Sequence, residues 1–189
     1  MTKYYKFLTE HNTGAYSEFD YSEYLPKGNK PGKWLPKVEK IVLCSRGYHA
    51  CKKADVLDWL NAQMCEVELR GETIEGATKI VAQQMRIVKK ITTWNDKTAR
   101  LAACDIAETV TPIWNKYYPN DNRPQACIDA ARNFANGNGT AKEMAAARAA
   151  AWDAASDADS AAAGDAARDA AWAAAGEVNK KIIYKYMGI

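Results

Sequence analysis

The chain is predicted to be an α+β protein, with a small mixed or antiparallel-sheet module over residues 1–93 followed by an all-α, alanine-rich helical bundle over residues 94–189. Three observations carry this. Short segments rich in aromatic and β-branched residues, bounded by turn formers, crowd the first half. Past Trp94 the β-branched residues thin out, and apolar positions take up the 3.6-residue period of amphipathic helices. Residues 141–175 then hold 20 alanines in 35 positions, a composition of high helix propensity.

In the first half, residues 3–8 (Lys-Tyr-Tyr-Lys-Phe-Leu) and 38–44 (Val-Glu-Lys-Ile-Val-Leu-Cys) read as strands. Between them, residues 25–36 hold three prolines and two glycines and must be a loop. Ala54 to Ala62 has apolar residues at helical spacing and is expected to form a short helix. From Met64 to Gly71 polarity alternates, which predicts a strand with Cys65, Val67 and Leu69 on one face. Residues 79–91 fit strand or helix by periodicity alone; they are assigned as a strand because the strand before them needs a partner.

In the second half, Leu101, Ala102, Ile106, Val110, Ile113, Trp114 and Tyr117 define a helix from Asp96 to Tyr118, kinked or divided at Pro112. Asn122-Arg-Pro-Gln places a proline just inside a second helix, which Gly137-Asn-Gly139 ends. Thr140-Ala-Lys-Glu143 has the form of a capping box and opens a third. Within the alanine run, Arg148, Trp152, Ser156, Ser160, Gly164, Arg168, Trp172 and Gly176 recur every fourth residue. A period of four overshoots the helical turn, so this stripe rotates by roughly 40° per repeat, and a break between Asp157 and Gly164 is expected. Glu177 to Met187, with Val178, Ile182, Ile183 and Tyr186, supplies bulk that alanine lacks.

Composition excludes several classes. With 189 residues and 48% hydrophobic content the chain can bury a core, so disorder is not expected. It has no run of 18 apolar residues and no apolar leader after Met1, and its five cysteines are scattered, so a cytoplasmic protein with reduced thiols and no membrane contact is expected. Residues 1–93 hold 15 Lys/Arg against 11 Asp/Glu, a net of +4; residues 94–189 hold 11 against 12, a net of −1. The excess lies in residues 25–53, where Lys27, Lys30, Lys33, Lys37, Lys40, Arg46, Lys52 and Lys53 face only Glu39, a pattern that attracts anions.

Four sets of residues are candidates for function. Lys30, Lys33, Trp34, Arg46 and Tyr48 interleave cations with rings, as in grooves that bind single-stranded nucleic acid or nucleotides; a solvated loop has the same pattern. Cys44, His49 and Cys51 form C-x4-H-x-C, with Cys65 as a fourth thiol, a weak zinc candidate because structural sites pair C-x2–4-C with a second such pair. His49 also stands where it could activate a thiol, although no orienting carboxylate is evident; packed cysteines and a structural histidine are the plain alternative. Trp152 and Trp172 either close the core of the bundle or stand out as anchors for a partner. No cofactor motif is present, and no cofactor is expected.

Two stretches carry a family resemblance. Leu43-Cys-Ser-Arg-Gly-Tyr-His-Ala-Cys51, followed by a short helix and Glu66-Val-Glu-Leu-Arg-Gly-Glu72, resembles a small domain of unassigned activity from phage and bacterial proteins, marked by a Leu-Cys-x-x-Gly-Phe-His-x-Cys core in which Tyr48 here replaces phenylalanine. Arg100-Leu-Ala-Ala-Cys-Asp-Ile-Ala-Glu-Thr-Val, then Asp121-Asn-Arg-Pro-Gln-Ala-Cys-Ile-Asp-Ala-Ala-Arg132 and the alanine-rich tail, is similar to helical domains of toxin-immunity proteins. The two cover residues 4–93 and 94–175. The resemblance implies a mobile-element or bacterial-conflict setting and supplies no catalytic residue. The expectation is a non-enzymatic protein that binds a host or toxin protein, in the host cytoplasm if phage-encoded, with the alanine face as partner surface or homodimer seam. A nucleotide- or nucleic-acid-binding protein using residues 25–53, or an enzyme centred on His49, are the alternatives.

Overall fold

The structure, a computed structural model, describes residues 2–159 and 176–189. Its layout is α+β: an N-terminal antiparallel sheet of six strands followed by helices. It divides into two compact units, one through Asn95 and one of Asp96–Gly188.

In the first unit, β1 (Tyr4–Leu8), β2 (Thr13–Gly14), β3 (Ser17–Asp20), β4 (Tyr48–Lys52), β5 (Gln63–Glu75) and β6 (Ile80–Lys90) run in the order β3-β2-β1-β4-β6-β5. β1 also pairs with β5, Tyr4 opposite Val67 through Leu8 opposite Gln63, so β1, β4, β6 and β5 close into a ring. Closure requires a bend. β5 slips register between Arg70 and Thr73, where Gly71 lies at φ +85° and the Gln83 side-chain oxygen accepts the Glu72 N–H at 3.1 Å. Inside the ring, Leu8, Ala50, Cys65, Val67, Met85 and Ile87 pack with Tyr21, Leu35 and Tyr48. β5 is thus the strand that alternation predicts, with Cys65 and Val67 buried and Leu69 packed beside them, and β6 is the partner strand expected to follow it.

One local expectation fails. Residues 38–44 are not a strand: the chain bends at 39–40, Val42 and Arg46 close a turn, and Cys44 stands at φ +67°, in the left-handed region where no strand continues. The strand is β4, four residues after Cys44. Of the apolar residues in 38–44, Ile41 is buried and seats the turn, while Val42 stands 43% exposed. The short helix expected over 54–62 is present as a 3-10 helix, Lys53–Trp59, tighter than an α-helix, which buries Val56 and ends at Leu60.

The proline-rich segment is an ordered strap. N–H groups of Gly32, Leu35 and Val38 donate to the carbonyls of Ile87, Met85 and Gln83 at 2.8, 2.9 and 3.0 Å. Three strap residues advance for every two of β6, and Pro31 and Pro36, which have no N–H to give, fall outside the donor positions. β4 occupies β6 at 80–82, so the strap covers the stretch of edge that β4 leaves open.

In the second unit, α1 (Asp96–Tyr117) contains Pro112, α2 (Arg123–Ala135) starts with a proline in its first turn, and α3 (Ala141–Asp159) follows Gly137 at φ +80°. Thr140 Oγ1 accepts the Glu143 N–H at 3.2 Å and the Glu143 carboxylate accepts the Thr140 N–H at 2.8 Å, which is the capping box. Residues 176–187 are helical, with Ile183 and Met187 buried. The expected break between Asp157 and Gly164, the repeat from Ser160 to Arg168, and Trp172 fall on residues outside those described, except that α3 itself runs to Asp159.

One polar cluster ties these helices together. Asp105 of α1 accepts hydrogen bonds from Arg132 of α2 at 2.9 Å and from the Tyr186 hydroxyl at 2.8 Å, while Arg132 also holds Glu108 at 2.7 Å. Burial alone would raise the Asp105 carboxyl, but the bonds from Arg132 and Tyr186 outweigh it and keep its pKa below the ordinary value. Asp105→Asn should therefore cost about 2 kcal/mol at pH 7. Because the folded pKa is lowered, that difference is present above the unfolded carboxylate pKa and closes as pH falls through the folded one. Urea unfolding at pH 7 and pH 3 checks it: a gap that persists unchanged at low pH would mean Asp105 acts by packing alone.

Candidate functional site

β1 and β4 share only two register pairs, Tyr4 with Lys52 and Tyr5 with Cys51, before they splay. The gap opens at Lys6. Strand alternation puts Lys6 on the face of Tyr4 and Leu8, the face turned to the core. Its Nζ bridges the gap, donating to the His49 carbonyl at 3.1 Å and lying 5.1 Å from the centre of the Tyr21 ring. A cavity of about 460 Å³ fills the split, reaching from Tyr5 and Lys6 past His49 and Cys51 to Trp59 and Lys79.

Each wall has a local cause. The two-residue turn between β2 and β3 carries Tyr16 out to 88% exposure and sets its ring edge-on to Trp59, centres 6.1 Å apart. Trp59, at the end of the 3-10 helix, is fixed by its Nε1–H to the Thr78 carbonyl at 2.8 Å, and Lys79 Nζ lies 5.0 Å over its ring. Burial, against weak opposing effects of the Cys51 and Cys65 sulfurs, lowers the Lys6 pKa from 10.5 to about 8. Tyr21 is pushed up by burial.

The Cys/His cluster has a different geometry from a metal site or a nucleophile pair. His49 Nε2 accepts the Cys44 backbone N–H at 3.0 Å, and a further backbone bond forms at Gly47, so the imidazole clips the 42–47 turn. Burial, then the charges of Lys6 and Lys79, keep it neutral. Cys51 Sγ donates to the Tyr5 carbonyl at 3.5 Å, and burial pushes its thiol up to about 12 and that of Cys65 to about 11. Among the described residues no group of three or more His, Cys, Asp or Glu is placed to hold a metal ion.

The basic loop does not form a stacking groove either. Tyr48 is buried and donates its hydroxyl to the Pro36 carbonyl at 2.9 Å. Trp34 lies against the guanidiniums of Arg70 and Arg86, 4.5 and 4.9 Å from its ring centre. Lys33 pairs with Glu23 and Lys37 with Glu39, each at 3.1 Å. Lys30 closes a solvent-facing turn with Lys27, and Arg46 is exposed at the end of its own turn. In the helical unit, Trp152 is 76% exposed, while Ala154, two residues on, is 1% exposed; the core reading of this tryptophan is overturned. Trp172 lies outside the described residues.

Sequence reasoning therefore reached His49, Cys44 and Cys51 at the cavity and missed Lys6, Tyr16, Tyr21, Trp59 and Lys79. A signal for Lys6 was available, since a lysine at an inward position of an apolar strand needs a reason to be there.

Among the described residues no helix is long and apolar enough to cross a membrane. Neither a curated protein nor a solved structure gives a match. Residues 89–177 match the family of Imm-5 like immunity proteins, to which the helical part of the chain is similar. Residues 2–99, more than half of the chain and the whole of the ring with its strap and cavity, match the domain of unknown function DUF7666, and the chain belongs to that family.

Proposed function

We propose that the protein is a non-enzymatic immunity or inhibitor protein of phage or bacterial conflict systems, acting in the cytoplasm by binding a toxin protein through its helical unit. The similarity of residues 89–177 to Imm-5 like immunity proteins carries this reading. Trp152 supports it: a large apolar ring held in solvent on an alanine-rich helix is a ready anchor for a partner, because tryptophan is enriched where binding energy concentrates. The engaged ring of His49 and the protonated thiols of Cys51 and Cys65 are consistent with binding in place of catalysis.

Co-expression in a bacterial host with toxin domains encoded beside its gene tests the proposal, with growth and co-purification as readouts. At least one toxin should be neutralised, and Trp152→Asp should weaken the complex by about tenfold or more while helical content stays unchanged. If no toxin is neutralised, and nucleotide or nucleic acid is all that co-purifies, the reading is wrong.

A further inference from the structure

We propose that the cleft between β1 and β4 binds a small organic anion carrying a planar ring, its anionic group between Lys6 and Lys79 and its ring against Tyr16 and Trp59. This site lies wholly in the first unit and stands or falls independently of toxin binding by the second.

Charge is the first argument. Lys3, Lys33, Lys37 and Lys52 of the same unit each hold a glutamate. Lys6 and Lys79, the two lysines on the cleft, hold none among the described residues, and Asp58 at the rim is in ion pair with neither. Lys6 uses one of its three N–H donors on the His49 carbonyl. Its half-buried ammonium is otherwise faced by the Tyr21 ring and the protonated thiols of Cys51 and Cys65. A cation taken partly out of water with no counter-charge is electrostatically incomplete, and an anion entering the cleft completes it. Both lysines line the same cavity, and His49, which lines it with them and is held neutral, offers no competing charge.

Shape is the second argument. The volume of about 460 Å³ falls within the range of small-ligand pockets, roughly 300–1,000 Å³. The aromatic part of the wall adjoins Lys79, whose Nζ lies over Trp59, with Tyr16 standing in solvent at its turn and Trp59 locked by Thr78. An inorganic anion would use the cations alone, whereas a ring-bearing carboxylate or phosphate uses the cations and the rings.

Acylation of lysines by acetic anhydride, read by mass spectrometry on the full chain, tests the site. Phenyl phosphate and benzoate are the probes, with inorganic phosphate and phenol as single-feature controls. At millimolar concentration a ring-bearing anion should protect Lys6 and Lys79 saturably, and the stronger of the two names the head group. Lys79→Met should abolish protection of Lys6, and Lys6→Met should weaken binding by at least about tenfold in calorimetry with circular dichroism unchanged. Equal protection by inorganic phosphate or by phenol, no protection by either probe, or full binding by both variants would overturn the proposal.

Discussion

Gly32→Ala is expected to destabilise the first unit by about 3 kcal/mol or more, read as a drop in the urea midpoint. A Cβ at this position would run into the Tyr24 carbonyl oxygen, 2.8 Å from its carbon and 3.3 Å from the Ile87 carbonyl oxygen. All three atoms are backbone, so no side chain can swing away. Relief would require the strap to lift off β6, and the Gly32 N–H bond to Ile87 at 2.8 Å would be lost with it. A loss below about 1 kcal/mol would show that the strap is not seated as described.

Lys6→Met should act in the opposite direction, raising stability at pH 7 by about 2 kcal/mol. A fall in pKa from 10.5 to about 8 corresponds to roughly 3 kcal/mol at ~1.4 kcal/mol per unit, and the lost bond to His49 takes back about 1. The sign follows from proton counting. Below pH 8 the lysine is protonated in both states and the folded state bears the whole cost. Between pH 8 and 10.5 the folded state releases its proton first, so the contribution of Lys6 to stability rises with pH across that window. The buried thiols of Cys51 and Cys65 act in the opposite sense above pH 9 in both proteins, so the prediction is the difference: the advantage of Lys6→Met should shrink from about pH 8 upward, and denaturant midpoints of the two proteins from pH 7 to 10 measure it. A methionine variant that is less stable at pH 7 would mean that Lys6 is well solvated.

That cost also explains what could and could not be read from the residues. Alternation exposes β5, the need of β5 for a partner decides β6 where periodicity alone leaves strand and helix open, and the capping box marks α3 because its two bonds are local. Residues 38–44 mislead because a turn that buries Ile41 has the same composition as a strand, and only the left-handed backbone of Cys44 separates the two. The cleft was legible only at His49 and its cysteines. Lys6, Tyr16, Trp59 and Lys79 come from four separate segments, and what joins them is the splaying of β1 from β4 after two pairs, a register fact that no local pattern encodes. Trp152 stands at a helix position whose inward or outward sense depends on how neighbouring helices pack, and alanine gives little amphipathic signal to decide it.

The closed ring has a further consequence, for life at high concentration. A flat sheet offers two open ladders to any copy of itself, but here β1 pairs with both β4 and β5, the strap takes up more of β6, and the stretch of β5 beyond the β1 pairing carries Glu68, Arg70, Glu72 and Glu75. The outer ladder of β3 is a terminus of this sheet, only four residues long, wholly exposed, and studded with Glu18 and Asp20. Short acidic edges repel their like. Sheet-to-sheet growth is thereby discouraged at the backbone level, leaving side-chain surfaces to govern what the module meets.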